Sequence, residues 1–499
     1  MNNLNSRYSA VLMSVSSLPS PYGIGGFGNE FNCFIDFLKD CGFSAMQVLP
    51  FTLPDSGNSP YGSCSAFAGN YLYIDPKKLF DMGLITAEEL KSFEYNGSPY
   101  TTDYNYVFTA KQNMLKAAFN RAKNDFNNKL LAFAGNNDWV NDYALFMAIK
   151  KSYNGLPWQK WQENHRDYNR AVLCAKDFAD DINYYIFEQY IFSLQYNEVK
   201  DYANKCGVKI IGDIPIYVAC DSVDVWKNKD LFCLNDDYIP LEVAGVPPDA
   251  FSAEGQLWGN PVYNWDVHKA QNYAWWIARL TRTFELYDIV RIDHFRAFAS
   301  YYTVDANATN AKNGKWNKGP AMSLFNKVFE YFESNKFIAE DLGTYGEDVV
   351  ELLNNTKIPG MRVVQFGFEG GNSTHLPHNY CQNSVAYVGT HDNNTLLGWI
   401  WDLDESTRKT VLKYCSFSGN DWGAGGYQSA SCRSVIETVM KSAANLVVIP
   451  FQDLCGFGSD ARMNIPGVPK DNWRFRTTFD TINGVDKDYF KFINKLFFR

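Results

Sequence analysis

No segment of the 499-residue chain holds about 18 uninterrupted apolar residues, the length a helix needs to cross a bilayer. The opening Met1-Asn2-Asn3-Leu4-Asn5 has neither the charged region nor the apolar stretch of a secretory leader. A cytoplasmic protein without a membrane partner is therefore expected. There is no C-x-x-C pair among 11 cysteines scattered from Cys33 to Cys455. An odd, scattered set fits neither a disulfide framework nor a zinc site, so reduced thiols are expected and no metal. No basic run is long enough to track a phosphate backbone, and 46 Lys+Arg against 55 Asp+Glu leave a formal charge of -9. Nucleic acid is not an expected partner. No linker rich in Gly, Ser or Pro cuts the chain into independent domains, and no internal repeat is evident.

What is present is ordinary globular composition, 46% hydrophobic and 20% charged, enough to build a large core. Aromatic content is high at 16%, with 13 Trp; this suits sugar stacking and an aromatic core equally. Eight short apolar, β-branched runs stand out, at residues 9–15, 45–50, 208–213, 288–293, 336–341, 361–366, 385–392 and 445–453. Helical patterns lie between them. Phe31, Phe34, Ile35 and Leu38 follow helical spacing; a longer pattern over 182–205 is closed by Gly207; Thr86 and Glu89 match a capping box. Strand and helix alternating in this way imply a parallel sheet, and eight strands imply an α/β fold of the (β/α)8 TIM barrel type. The expectation is one catalytic barrel over 1–499, with its main inserted subdomain at 51–207 and a smaller insertion carrying a substrate loop at 214–287.

Barrel catalysis sits at the C-terminal strand ends, and here those ends are acidic. The third run ends Gly212-Asp213, the fourth reads Arg291-Ile-Asp293-His294, the fifth reads Glu340-Asp341, and the seventh closes His391-Asp392-Asn393. Arg291 and Asp293, two apart in a strand, share a face. The guanidinium is expected to lower the Asp293 carboxyl pKa, as an anionic nucleophile requires; a purely structural ion pair is the alternative. Glu340 follows Phe337-Ile338-Ala339, and burial near other carboxylates would raise its pKa, as a proton donor requires; a salt-bridged strand-end Glu is the alternative. Two carboxyl groups in these opposed states are the apparatus of retaining glycoside chemistry, and a third such as Asp392 could stabilise the oxocarbenium-like charge.

With those residues in view, the chain resembles the amylomaltases, or disproportionating enzymes, of glycoside hydrolase family 77, related to the α-amylases. The resemblance spans nearly the whole chain and rests on Ser16-Ser-Leu-Pro19, Tyr22-Gly-Ile-Gly25, Ser59-Pro-Tyr61, Gly212-Asp-Ile-Pro-Ile-Tyr217, Phe251-Ser-Ala-Glu-Gly-Gln-Leu-Trp258-Gly-Asn-Pro261, Arg291-Ile-Asp-His-Phe-Arg296, Ala339-Glu-Asp-Leu-Gly343, Gly389-Thr-His-Asp-Asn393 and Ala461-Arg-Met-Asn464. It implies a retaining 4-α-glucanotransferase with Asp293 as nucleophile, Glu340 as general acid/base and Asp392 as transition-state stabiliser. It also implies that Tyr61, Asp213, Arg291, His294, Asp341, His391 and Asn464 bind the sugar, and that Gln256 and Trp258 sit on a loop over the acceptor side. Maltooligosaccharides and starch- or glycogen-derived α-glucans would be the partners, with no cofactor and no separate C-terminal β-domain. Ala297, Asn394 and Asp471 depart from the usual pattern, which bears on fine specificity rather than on the reaction.

Two other motifs carry less. Gly23-Ile-Gly25-Gly-Phe-Gly28 has the letters of a dinucleotide fingerprint, but Pro19 and Pro21 separate it from the first strand and no acidic ribose partner closes the second. His375-Leu-Pro-His378 contains a proline that opposes a shared helical face; both histidines are expected in a solvent-exposed loop. The rival readings are an α-1,4-glucan hydrolase using the same acids, and a glucan-binding protein on a retired barrel.

Overall fold

The computed structural model describes residues 7–122, 125–248, 253–343, 346–468 and 470–499; Phe251 and Ser252 of the expected substrate segment, and the first six residues, lie outside them. Twelve strands occur among these residues: β1 (Tyr8–Leu12), β2 (Ala45–Gln47), β3 (Lys209–Ile214), β4 (Glu242–Val246), β5 (Gln256–Pro261), β6 (Ile289–Ile292), β7 (Ser300–Asp305), β8 (Gly314–Lys318), β9 (Phe337–Ala339), β10 (Gly360–Val363), β11 (Ser384–Tyr387) and β12 (Leu446–Pro450). Eight of them close a parallel barrel in the order β1-β12-β11-β10-β9-β6-β3-β2. All eight apolar runs of the sequence contribute a barrel strand. The runs overshoot at their C-terminal ends, where the chain turns into short helices such as Val364–Phe368 and Phe451–Leu454. Apolar side chains continue into these turns, so hydrophobicity alone does not mark where strand pairing stops.

Strand alternation sorts the side chains into two cores. Ala10, Leu12, Ile211, Ile289, Ile338, Met361, Val363, Val385, Tyr387, Leu446 and Val448 pack together inside the barrel. Val11, Met46, Ile210, Val290, Phe337, Ala339, Ala386 and Val447 point outward into the larger core shared with the helices. The helix Asn29–Asp40 buries Phe31, Phe34, Ile35 and Leu38 there, the four residues whose spacing marks it in the sequence. The capping box of Thr86 and Glu89 is formed in both directions, and the helix Ala179–Lys205 ends before Gly207, whose φ of 82° is the left-handed turn that favours glycine.

Between β2 and β3 the chain is mostly helical, and the helix Ala179–Lys205 returns it to the barrel. A second sheet, of order β5-β4-β7-β8, is antiparallel. Half of it comes from the 214–287 segment and half from residues 300–318, an excursion beyond β6 that the sequence reading did not anticipate. The pairing of β4 with β7 joins the halves; a pairing between distant segments leaves no local periodic signal. After β12 the described residues add helices and loops but no strand.

The Gly23–Gly28 stretch is buried. A Cβ at Gly25 would lie 2.0 Å from the Val15 carbonyl oxygen, and one at Gly26 2.5 Å from that of Tyr73. These glycines permit close backbone packing. His375 is a correction to the sequence reading: it is half-buried, its Nδ1 accepts from the Val363 amide at 3.1 Å, and burial pulls its pKa down to about 4. His378 is exposed as expected.

Candidate active site

The interior alternation that fills the barrel with aliphatic side chains also delivers its polar ones. Two residues beyond Ile211, Ile289 and Ile338, on the same inward face, stand Asp213, Arg291 and Glu340. Parallel pairing sets Asp213 opposite Arg291, and Arg291 opposite Ile338. Asp293 follows β6, with its amide donating to the Ile214 carbonyl at 2.9 Å. The C-terminal ends of three adjacent strands thus converge on one floor.

Above that floor opens a cleft of about 900 Å³, lined by Tyr61, Gln256, Trp258, Arg291, Asp293, His294, Glu340, His391, Asp392 and Asn464, among others. Ten of the twelve expected site residues therefore meet in one cavity, within the size range of ligand sites. Asp213 and Asp341 do not line it. Asp213 is fully buried behind the floor, where Arg291 Nη1 lies 2.7 Å from both its oxygens and the Tyr61 hydroxyl donates to it at 2.8 Å. It supports two cleft residues rather than meeting a ligand. Asp341, next to Glu340, points to the opposite side of the strand end; its Oδ1 accepts from the Met361 amide at 2.6 Å and its Oδ2 from Arg362 at 3.1 Å. Alternation, which puts Glu340 in the cleft, necessarily puts Asp341 out of it.

The two central carboxyl groups sit in different surroundings. Arg291 Nη1 donates to Asp293 Oδ1 at 3.0 Å, yet the Asp293 pKa is raised, to about 6, because burial outweighs the guanidinium. The expected lowering fails first because the carboxyl is buried, and then because Asp213, which shares Arg291, and Asp392 add negative charge around Asp293. Since 29% of the Asp293 side-chain surface remains open to the cleft, water moderates the rise, and the group is mainly ionised at neutral pH. Glu340 is raised further, to about 8: burial is the largest cause, Arg291 opposes it, and the Asp293 charge adds to it. The amides of His294 and Leu342 donate to its two oxygens at 2.7 and 2.8 Å, fixing the carboxyl while lessening the rise. His294 adopts a left-handed φ of 51° to present that amide, a conformation that costs energy for a residue with a Cβ.

Burial pulls the Arg291 guanidinium down, but Asp213 and then Asp293 more than compensate and hold it above its ordinary value. Burial also lowers His294 to about 3, so it meets the cleft as a neutral imidazole, edge-on to Trp258 at 4.8 Å. Asp392 accepts from Asn464 Nδ2 at 2.6 Å and lies 3.4 Å from His391 Nε2. Trp258 and Gln256 lie on β5 rather than on a loop, joined by a 3.1 Å hydrogen bond from the indole Nε1 to Gln256 Oε1. The glycines around them suggest a loop, but pairing with β4 holds the segment extended.

Trp473 is absent from the sequence-derived set and belongs to the cleft wall. Its ring lies 5.9 Å from Tyr61 and 5.6 Å from His391, and Tyr61 stacks on His391 at 5.3 Å. Its φ of 63° and the 2.7 Å bond from its amide to the Met463 carbonyl turn the indole toward these rings. The signal available was a lone Trp after Asp471-Asn472, and a local pattern does not say which way such a ring faces. Asn472 ties the neighbouring loop through the Ile465 amide and the Val468 carbonyl. Among the described residues no group of three or more His, Cys, Asp or Glu side chains is placed to hold a metal ion, and no helix is long and apolar enough to cross a membrane.

Comparison with known proteins places this geometry in a family. The profile of glycoside hydrolase family 77, described as 4-alpha-glucanotransferase, matches residues 13–481. The 4-alpha-glucanotransferase of Aquifex aeolicus is 42% identical over 480 residues, covering 95% of this chain and 96% of that one. That of Thermus thermophilus is 39% identical over 482 residues, covering 94% of each. The solved amylomaltase from Streptococcus agalactiae, in complex with acarbose, superposes with a TM-score of 0.94 at 36% identity and covers 99% of both chains. A match this long, over a barrel whose rim carries the acids, leaves one assignment: the chain belongs to the 4-alpha-glucanotransferases of glycoside hydrolase family 77.

Proposed function

We propose that the cleft transfers α-1,4-glucan segments by a retaining double displacement, with Asp293 as nucleophile and Glu340 as acid and then base. The observation that carries this reading is the meeting in one cleft of two carboxyl groups in different settings, Asp293 bonded by the Arg291 guanidinium at 3.0 Å and Glu340 fixed by two backbone amides, with burial raising Glu340 further. Asp293 attacks the anomeric carbon as the glycosidic C–O bond breaks, and the Glu340 proton goes to the departing oxygen. Glu340 then takes the proton of an incoming 4-hydroxyl, whose oxygen displaces Asp293, and two inversions restore the α-configuration. Asp392, held by Asn464, stabilises the oxocarbenium-like charge.

A hydrolase would use the same acids and resolve the intermediate with water. Family membership supports transfer, and the aromatic wall of Trp258, Trp473 and Tyr61 with the apolar rim residues Ile465 and Val468 supports exclusion of water around a bound chain. Acarbose bound to the Streptococcus agalactiae amylomaltase supports maltooligosaccharides and longer starch- or glycogen-derived glucans as substrates. The odd, scattered set of 11 cysteines without a C-x-x-C pair suits a reducing, cytoplasmic setting.

Incubated with maltotriose alone, the purified protein is expected to yield glucose and a ladder of longer oligosaccharides while reducing ends stay nearly constant. Chromatography with a reducing-end assay checks this; rising reducing ends with only shorter products would establish a hydrolase. The rate is also expected to follow a bell in pH. It should fall below about pH 6 as Asp293 gains a proton and above about pH 8 as Glu340 loses one. The two limbs belong to the interacting pair. A kcat/KM profile flat from about pH 5 to 9 would contradict the division of roles.

A further inference from the structure

The antiparallel sheet β5-β4-β7-β8 forms one wall of the cleft, and a single row of residues crosses it. Leu257 pairs with Gly245, Gly245 with Tyr302, and Tyr302 with Trp316. Residues directly opposite in antiparallel strands share a face, so Leu257, Tyr302 and Trp316 present one surface with a gap at Gly245. The register of β4 with β5 shifts between Val243 and Gly245. Such a bulge re-aims side chains, which accounts for Leu257 and Trp258 both lining the cleft although adjacent in sequence.

Trp316 lines the same cleft and keeps 42% of its surface exposed, as Leu257 keeps 38%. An indole that open on an edge strand gains little from the core, yet it is held. The Arg296 guanidinium lies 4.0 Å from its centroid, and buried Tyr302 meets it at 5.2 Å and 61°. A ring fixed in advance loses little freedom when a ligand stacks on it, and a glucose unit offers an apolar face for the purpose. Gln256 and Asn260 stand on the same wall with amide groups suited to sugar hydroxyls.

We propose that Trp316 is a platform for a glucose unit of the chain on the acceptor side, remote from the bond under attack; this rests on glucan transfer in the cleft. Trp316 then acts on chain-length preference rather than on bond breaking. The test compares kcat/KM for two labelled acceptors, glucose and maltopentaose, with maltotriose as common donor. In Trp316→Thr, which keeps a strand-forming residue, the loss should be about 3- to 10-fold larger for maltopentaose than for glucose, the scale of one aromatic contact, and should appear in KM. Trp316→Phe should recover part of that difference. Equal losses for both acceptors, or no loss for either, would overturn the platform while leaving transfer intact. A wild-type protein that used neither acceptor would instead overturn the transfer reading on which it stands.

Discussion

Asp293→Asn is expected to abolish glucan transfer, by about four orders of magnitude or more, the scale at which removing one member of a concerted constellation stops turnover. The amide matches the carboxylate in shape, and Arg291 keeps its two 2.7 Å contacts with Asp213, so the fold should be retained. A second effect separates this from general damage. The Asp293 charge is one of the causes that raise Glu340; its removal makes Glu340 easier to ionise, so the Glu340 pKa should fall. Transfer assays together with carboxyl titration by NMR check both outcomes. A variant with near-normal turnover would end the assignment of Asp293 as nucleophile, and an unmoved Glu340 titration would show that the two carboxyl groups do not sense each other.

The second large effect is on stability. Arg291→Met removes the cation from a fully buried Asp213, whose side chain is 0% exposed beside a 4% exposed Arg291. An unpaired buried charge costs about 3–5 kcal/mol, here lessened by the Tyr61 hydroxyl that still donates to Asp213. The thermal midpoint is therefore expected to drop by several degrees. Arg291→Met combined with Asp213→Asn should recover more than half of the loss, because the orphaned charge is then gone. Additive losses in the double variant would point to packing instead. Activity should fall too: Arg291 opposes the rise in the Asp293 pKa, so without it the nucleophile is protonated at a higher pH and the acid limb of the rate profile moves upward.

These two residues also show where local reasoning about the site stops. Their shared inward face follows from a spacing of two in a strand, and the same rule applied to Ile338 and Glu340 brings the Glu340 carboxyl to the same floor. The rule equally removes Asp341, which sits one residue out of phase and bonds to Met361 and Arg362. What the spacing of Arg291 and Asp293 does not reveal is the third partner. Burial of the carboxyl outweighs the guanidinium, and Asp213, which arrives from β3 through parallel pairing and shares Arg291, adds its negative charge, so the Asp293 pKa goes up where a two-residue argument sends it down.

The barrel itself was readable because each of its strands lies in a short apolar run, several of which end in a polar or charged cluster, and side-chain periodicity is a property of a few consecutive residues. The principal helices were readable for the same reason, as was the meeting of Asp293, Glu340 and Asp392 at the cleft, since they stand at strand ends on the barrel rim. The wall of the cleft was not. Trp316 meets it through the pairing of β4 with β7, which joins segments on either side of a barrel strand. Trp473 meets it through a left-handed turn anchored on Met463. Neither has a local signature: which way an isolated indole faces is set by strands and loops distant in sequence, and the balance of charge around a buried carboxyl is set by every group that packs against it.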